Sequence, residues 1–169
     1  DYHPVHRLDR GTSGLMVVAK HPHAQEVLKG QLHTPRFRRT YLAVCDGTPD
    51  APSGVVDAPI GPVPGSLMAR RVDPAGQRAR TRYRLLRTAG GRSLVELELD
   101  TGRTHQIRVH MASLGCPLTG DFLYGVEDPA LIARPALHSA RLRVDHPVTG
   151  ETLSWSLPLP EDMARLIQP

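Results

Sequence analysis

Between Arg78 and Arg87 the chain alternates with a period of two. Arg78, Arg80, Arg82 and Arg84 take one parity and Ala79, Thr81, Tyr83 and Leu85 the other. Such alternation describes a strand with one face in solvent and one against a core. Gly90-Gly91 then supplies the positive-φ positions of a tight hairpin, and residues 93–99 return with Leu94, Val95, Leu97 and Leu99 for the interior. Similar strand patterns cover residues 13–20, 36–46, 137–144 and 152–157, the last two joined by the turn His146-Pro147-Val148-Thr149-Gly150. Helical spacing is confined to residues 21–33, 103–114 and 161–167. Many strands on short turns with few helices predict an α+β fold: a mixed, mostly antiparallel sheet with a few flanking helices, not a doubly wound one. The Pro/Gly-rich stretch 48–66 allows only short strands and an extended loop.

A chain of 169 residues suits one domain, 1–169. Its formal charge of +4 is modest, but the arginines cluster: Arg36, Arg38 and Arg39, then Arg70 and Arg71, then Arg78, Arg80 and Arg82. Clusters of this kind suit a polyanionic partner, RNA or DNA first among them; the plainer alternative is a solvated charged face. Aromatic residues make up 4% of the chain, too few for a broad platform of stacked rings. The two cysteines, Cys45 and Cys116, lie far apart without metal-ligand spacing, which fits a reducing cytoplasm. The nine histidines form no paired-ligand pattern, so no metal and no cofactor is expected. No run reaches the length of a membrane span, and no signal-peptide pattern opens the chain. A monomer is the default expectation.

Three strings carry chemistry. The first is His6-Arg7-Leu8-Asp9-Arg10-Gly11-Thr12-Ser13-Gly14, which sets a carboxylate between two arginines just before an apolar run. A lone loop aspartate most often caps a turn; held rigidly at the edge of a core, it can instead react. The second is Tyr41, mid-strand after Arg38 and Arg39. It is either a packing side chain or a ring placed to stack on a base. The third runs Gly102-Arg103-Thr104-His105-Gln106-Ile107-Arg108-Val109-His110-Met111 and continues to Gly120-Asp121-Phe122-Leu123-Tyr124-Gly125. Ile107 and Met111, four apart, can seat one helical face, which leaves Arg108 near the interior in need of a partner. Asp9 is one choice and a structural acid elsewhere is the other.

Together these strings resemble the RluA-type pseudouridine synthases. His-Arg-Leu-Asp-x-x-Thr-Ser-Gly looks like that family's catalytic motif, and the string from Gly102 to His110 looks like its third motif. Leu137-His138-Ser139-Ala140 followed by His146-Pro147 adds a further match. Cys116 departs from the family's usual histidine. The family's upstream Lys-Pro-x-Gly segment is absent and the chain opens on Asp1, so an N-terminally incomplete catalytic domain is expected.

The resemblance implies the pseudouridine synthase catalytic fold and isomerisation of a uridine in ribosomal or transfer RNA after base flipping. It assigns Asp9 the essential carboxylate, Arg108 the pairing partner that orients it, and Tyr41 the ring against the uracil. Arg7 resembles the arginine that enters the space left by the flipped nucleotide, and Arg38, Arg39 and Arg103 are expected to contact RNA. A catalytically inactive RNA-binding module of the same fold is the alternative, although such a module would be expected to have lost Asp9, Tyr41 or Arg108. An aspartate-dependent hydrolase would need a second acid or a metal set at a convincing spacing, and the sequence shows neither.

Overall fold

A computed structural model describes residues 1–168. Its centre is a seven-stranded sheet assembled in the order β11-β10-β4-β9-β8-β5. In chain order these are β4 (Arg38–Asp46), β5 (Ser53–Asp57), β8 (Arg80–Ala89), β9 (Arg92–Leu99), β10 (Leu137–Asp145) and β11 (Thr152–Ser156). All neighbours on this path are antiparallel; the seventh strand, β2 (Ser13–Gly14), pairs parallel with β10. The sheet is therefore mixed and mostly antiparallel. Two minor ladders complete the strands: β1 (His3–Pro4) with β3 (Val18–Ala19), and β6 (Ile60–Pro62) with β7 (Arg70–Val72). Gly90 and Gly91, at φ +56° and +76°, make the predicted hairpin turn between β8 and β9.

Alternation along β4 divides the core. Tyr41 and Ala43 join Val95, Leu97, Ile107, Met111 and Leu137 on one face, beneath the helix α2 (Gln106–Ser113). Val44 joins Leu94, Ile132, Met163, Leu166 and Ile167 on the other, where the short helix α3 (Glu161–Ala164) and the 3-10 turn Arg165–Ile167 pack. The helix α1 (Pro22–Gln31) buries Ala24 and Leu28 against Phe37, Leu142 and Val144. The Nδ1 of His21 accepts from the Ala24 N–H at 3.3 Å and caps its first turn, and Pro22 follows at a position where a missing N–H is harmless. No helix among the described residues is long and apolar enough to cross a membrane.

The continuous strand expected over residues 13–20 is replaced by two short ones, β2 and β3. Gly14 causes the break. Its φ of +111° turns the chain away after only two ladder positions on β10, and the backbone passes so close to Ser139 that a Cβ would lie 2.2 Å from its carbonyl oxygen. The chain then crosses to pair with β1. The second departure is α2, which begins at Gln106 and not at Arg103.

A methyl group at Gly14 meets both a strained dihedral and a backbone clash. Gly14→Ala is expected to destabilise the protein by at least about 3 kcal/mol, a fall in Tm of roughly 6–12 °C for a chain of this size, measured by thermal unfolding followed by circular dichroism.

Candidate active site

A cleft of about 240 Å³ opens between the end of α1 and the start of α2. Its lining includes Arg39 and Tyr41 of β4, the residues Arg7, Leu8, Asp9 and Thr12, and the loop Gly102-Arg103-Thr104. Five of the sequence-predicted site residues thus meet in one place: Arg7, Asp9, Arg39, Tyr41 and Arg103. Three cations share this lining with one carboxylate, a field that draws in a polyanion. Tyr41 is 5% exposed. Burial raises its phenol above the ordinary value, with the negative charge of Asp9 adding to the rise and Arg39 opposing it. At neutral pH Tyr41 is a neutral ring with a hydroxyl, not a phenolate.

The Asp9 loop is held by its own turn and by distant groups. The Thr12 N–H donates to the Asp9 carbonyl at 2.9 Å, and Gly11 takes φ +87°. Ser13 Oγ lies 2.8 Å from His138 Nδ1, and the Leu15 N–H donates to the Ser139 carbonyl. Arg134 reaches the loop from the stretch before β10. It donates to the carbonyls of Gly11 and Leu137, both at 3.0 Å, while forming a two-pronged pair with Asp162 at 2.7 and 2.9 Å. The Arg134 pair also holds the Asp162 carboxyl below its usual range. Nothing in the sequence marked Arg134 or Asp162.

On the other side of the loop, the His6 Nε2 accepts from the Val17 N–H at 3.1 Å, and its ring meets Phe37 edge-on. Burial, reinforced by the charge of Arg39, lowers the His6 pKa from 6.5 to about 4. His6 is neutral at physiological pH, as its acceptor role requires.

Arg108 lies outside the cleft lining, and its partner is not Asp9. Its guanidinium grips Asp121 through two parallel bonds of 2.7 Å, with the two side chains 2% and 0% exposed. The expected Asp9–Arg108 pair gives way because Asp121 offers both carboxylate oxygens to the Arg108 fork from within the same buried layer. The rings of Phe122 and Tyr124 lie 5.2 and 5.0 Å from the guanidinium carbon. Burial works against the charge on Arg108, but its bonds to Asp121 outweigh that and raise its pKa; Tyr124 and Asp9 contribute in the same direction. Asp9 therefore feels Arg108 as a nearby charge and not as a hydrogen-bonding partner.

The late start of α2 also shapes the cleft. The Gln106 side chain accepts from the Arg103 N–H at 3.0 Å and from Thr101 Oγ1 at 2.8 Å, and donates to the Arg80 carbonyl and Thr81 Oγ1. These bonds tie residues 101–103 into a loop instead of a first helical turn. His105 takes the left-handed conformation, φ +58°, and its Nδ1 lies 2.7 Å from the Tyr124 hydroxyl. Burial, followed by the charge of Arg108, lowers the His105 pKa. Asp121, Gln106 and Tyr124 all stand within the third string, so their presence was visible in the sequence; their roles were not. Arg38 points to the opposite face of β4 from Arg39 and does not line the cleft. Among the described residues no group of three His, Cys, Asp or Glu side chains is placed to hold a metal ion.

Comparison with known proteins follows the same geometry. A family model described as RNA pseudouridylate synthase matches residues 1–113. The chain belongs to that family. Over 166 residues it is 47% identical to YjbO of Bacillus subtilis (strain 168), named an uncharacterized RNA pseudouridine synthase; the match covers 98% of this chain and 58% of that one. Ribosomal large subunit pseudouridine synthase D of Nitrosomonas europaea is 45% identical over 172 residues, covering 97% of this chain and 50% of the relative. The chain thus spans between half and three-fifths of the length of these family members. The solved structure of human RNA Pseudouridylate Synthase Domain Containing 1 superposes with a TM-score of 0.81 at 26% identity, over 94% of this chain and 69% of that one. The pseudouridine synthase fold read from the motifs is the fold found.

Two outcomes follow from the buried groups. Asp121→Asn removes the charge that balances Arg108, and is expected to cost about 3 kcal/mol or more in denaturant unfolding. His6 stays unprotonated in the folded chain down to about pH 4, whereas the unfolded chain binds that proton near 6.5. Stability should therefore fall as pH drops from 6.5 to 4, by about 3 kcal/mol from this group. His6→Gln should flatten that part of the pH profile in urea titrations.

Proposed function

We propose that this chain isomerises uridine to pseudouridine in structured RNA, with Asp9 as the reacting carboxylate. The observation that carries this reading is the meeting of Asp9 and Tyr41 in one arginine-lined cleft, on a chain of the pseudouridylate synthase family. The reaction breaks the N1–C1′ bond, turns the uracil, and forms a C5–C1′ bond; C5 gives up a proton and N1 gains one. No electrons are exchanged and nothing is added, so the groups required are those that orient the base, hold charge and move protons.

A uridine in folded RNA must leave its stack to reach Asp9. Arg7, exposed at the rim, is suited to the space the nucleotide vacates, while Arg39 and Arg103 face the phosphates. Tyr41 offers its ring to the uracil from a rigid strand. Asp9 acts on the sugar, either at C1′ as nucleophile or on the 2′ proton as base; both roles use the same carboxylate at the same wall. Arg108 acts at one remove: paired to Asp121, it fixes α2 and the loop after it behind the site. The name of the Nitrosomonas relative favours RNA of the large ribosomal subunit as the substrate class. The alternative of an inactive RNA-binding module finds no support in a cleft that retains both Asp9 and Tyr41.

Tritium release from bulk unmodified RNA labelled at uracil C5 tests the reading. The wild-type chain should release tritium, and Asp9→Asn should bind RNA yet lose turnover by several orders of magnitude. Normal turnover in Asp9→Asn would overturn the assignment.

A further inference from the structure

The face of the sheet turned away from Asp9 carries a second basic recess. A groove of about 340 Å³ is bounded by Arg38 and Thr40 of β4, Glu98 of β9, Arg141 and Arg143 of β10, and Ser154 and Ser156 of β11, so three arginines face one carboxylate. Arg38 and Arg143 stand directly opposite each other in the β4–β10 register. Like charges so placed repel, and sheets normally relieve that with an acid across the ladder. Here the cross-strand neighbour of Arg143 on β11 is Ser154. Among the described residues neither Arg38 nor Arg143 forms an ion pair. The nearby acids pair with other groups: Glu96 with Arg84 and with Arg141 of the groove, Glu98 of the groove with Arg82 at 3.9 Å, and Asp145 with the Thr152 hydroxyl. Two unneutralised guanidinium groups flanked by serine hydroxyls form a fork suited to phosphate oxygens.

We propose that this groove binds RNA phosphates, as a second contact on the face of the sheet opposite the reactive cleft. The inference rests on the reading of RNA as substrate and extends it. Strand alternation gives β4 one arginine for each face: Arg39 to the cleft, Arg38 to the groove. An RNA that reaches both must wrap the edge formed by β11, so a long folded RNA gains from the second contact and an isolated stem–loop does not. Trp155, 47% exposed on that edge strand, is the only tryptophan of the chain; it pairs with Leu142, so its ring alternates to the face opposite Ser154 and Ser156. Its fluorescence reports on RNA that passes over this edge, without any label.

The test is a titration of the purified chain with bulk unmodified RNA transcribed in vitro, followed by filter binding and by tryptophan emission at several salt concentrations. The double variant Arg38→Gln/Arg143→Gln should bind roughly tenfold or more weakly near 0.1 M salt, with a log K against log salt slope shallower by about 1.4–1.8. RNA should change the Trp155 emission of wild type and of Asp9→Asn, but not of the double variant. Its Tm should equal or exceed that of wild type, since a repulsive pair is removed, which separates lost binding from lost folding. A double variant that binds RNA with wild-type affinity and salt slope, and with unchanged Trp155 emission throughout, overturns the groove while leaving the RNA reading intact. A wild-type chain that binds no RNA overturns both. Loss of binding to polyglutamate alone, with RNA binding unaffected, would assign the groove to an acidic protein and equally overturn the proposal.

Discussion

The buried pair of Arg108 and Asp121 is the constraint on which the site depends. A pair sealed from water adds no more stability than well-packed apolar groups of the same shape commonly would, so its consequence is geometric. Asp121 also accepts from the backbone N–H groups of Leu123 and Tyr124, so one carboxylate fixes both the helix and the loop after it. Tyr124 extends the arrangement: its hydroxyl accepts from the Arg70 N–H at 2.8 Å and bonds His105, which turns the chain into α2. The residues that wall the cleft, Gly102 to Thr104, are placed by this chain of contacts. Were Arg108 free to seek Asp9, neither group would be held this firmly.

Charge is arranged in layers around that anchor. A neutral phenol and a neutral imidazole, Tyr41 and His6, stand beside the cleft because burial disfavours the charged form of both; Arg39 adds to this at His6, while at Tyr41 burial outweighs it. The cations that remain are at the rim, where water and a polyanion can reach them. This separation lets the cleft attract a polyanion without surrounding its one carboxylate by hydrogen-bonding cations that would dull its reactivity.

The sheet was legible in the sequence because alternation and Gly90-Gly91 are local signals, and so were α1 and the buried face of Ile107 and Met111. Asp9 and Tyr41 were legible through their motifs. What escaped lay in contacts that sequence separation hides. The choice of Asp121 over Asp9 by Arg108 depends on which carboxylate shares its buried layer, and spacing along the chain does not report that. The break at Gly14 depends on a close approach to Ser139, 125 residues further along the chain, next to the Ser13–His138 contact of the same separation. Arg38 and Arg39 read as one basic cluster until a strand placed them on opposite faces. The shortened α2 reflects the Gln106 side chain, which takes over the bonds that a further helical turn would have used.

Arg134 has a consequence for the order in which this molecule becomes competent. It joins Gly11, 123 positions earlier, to Asp162, 28 positions later. During synthesis the segment bearing Asp9 leaves the ribosome before Asp162, and its clamp is complete only once Asp162 has emerged and packed. At about 5–20 residues per second, Asp9 waits about 8–30 seconds for the group that steadies its loop. A nascent chain would thus display its arginines well before the loop that carries Asp9 is held in place.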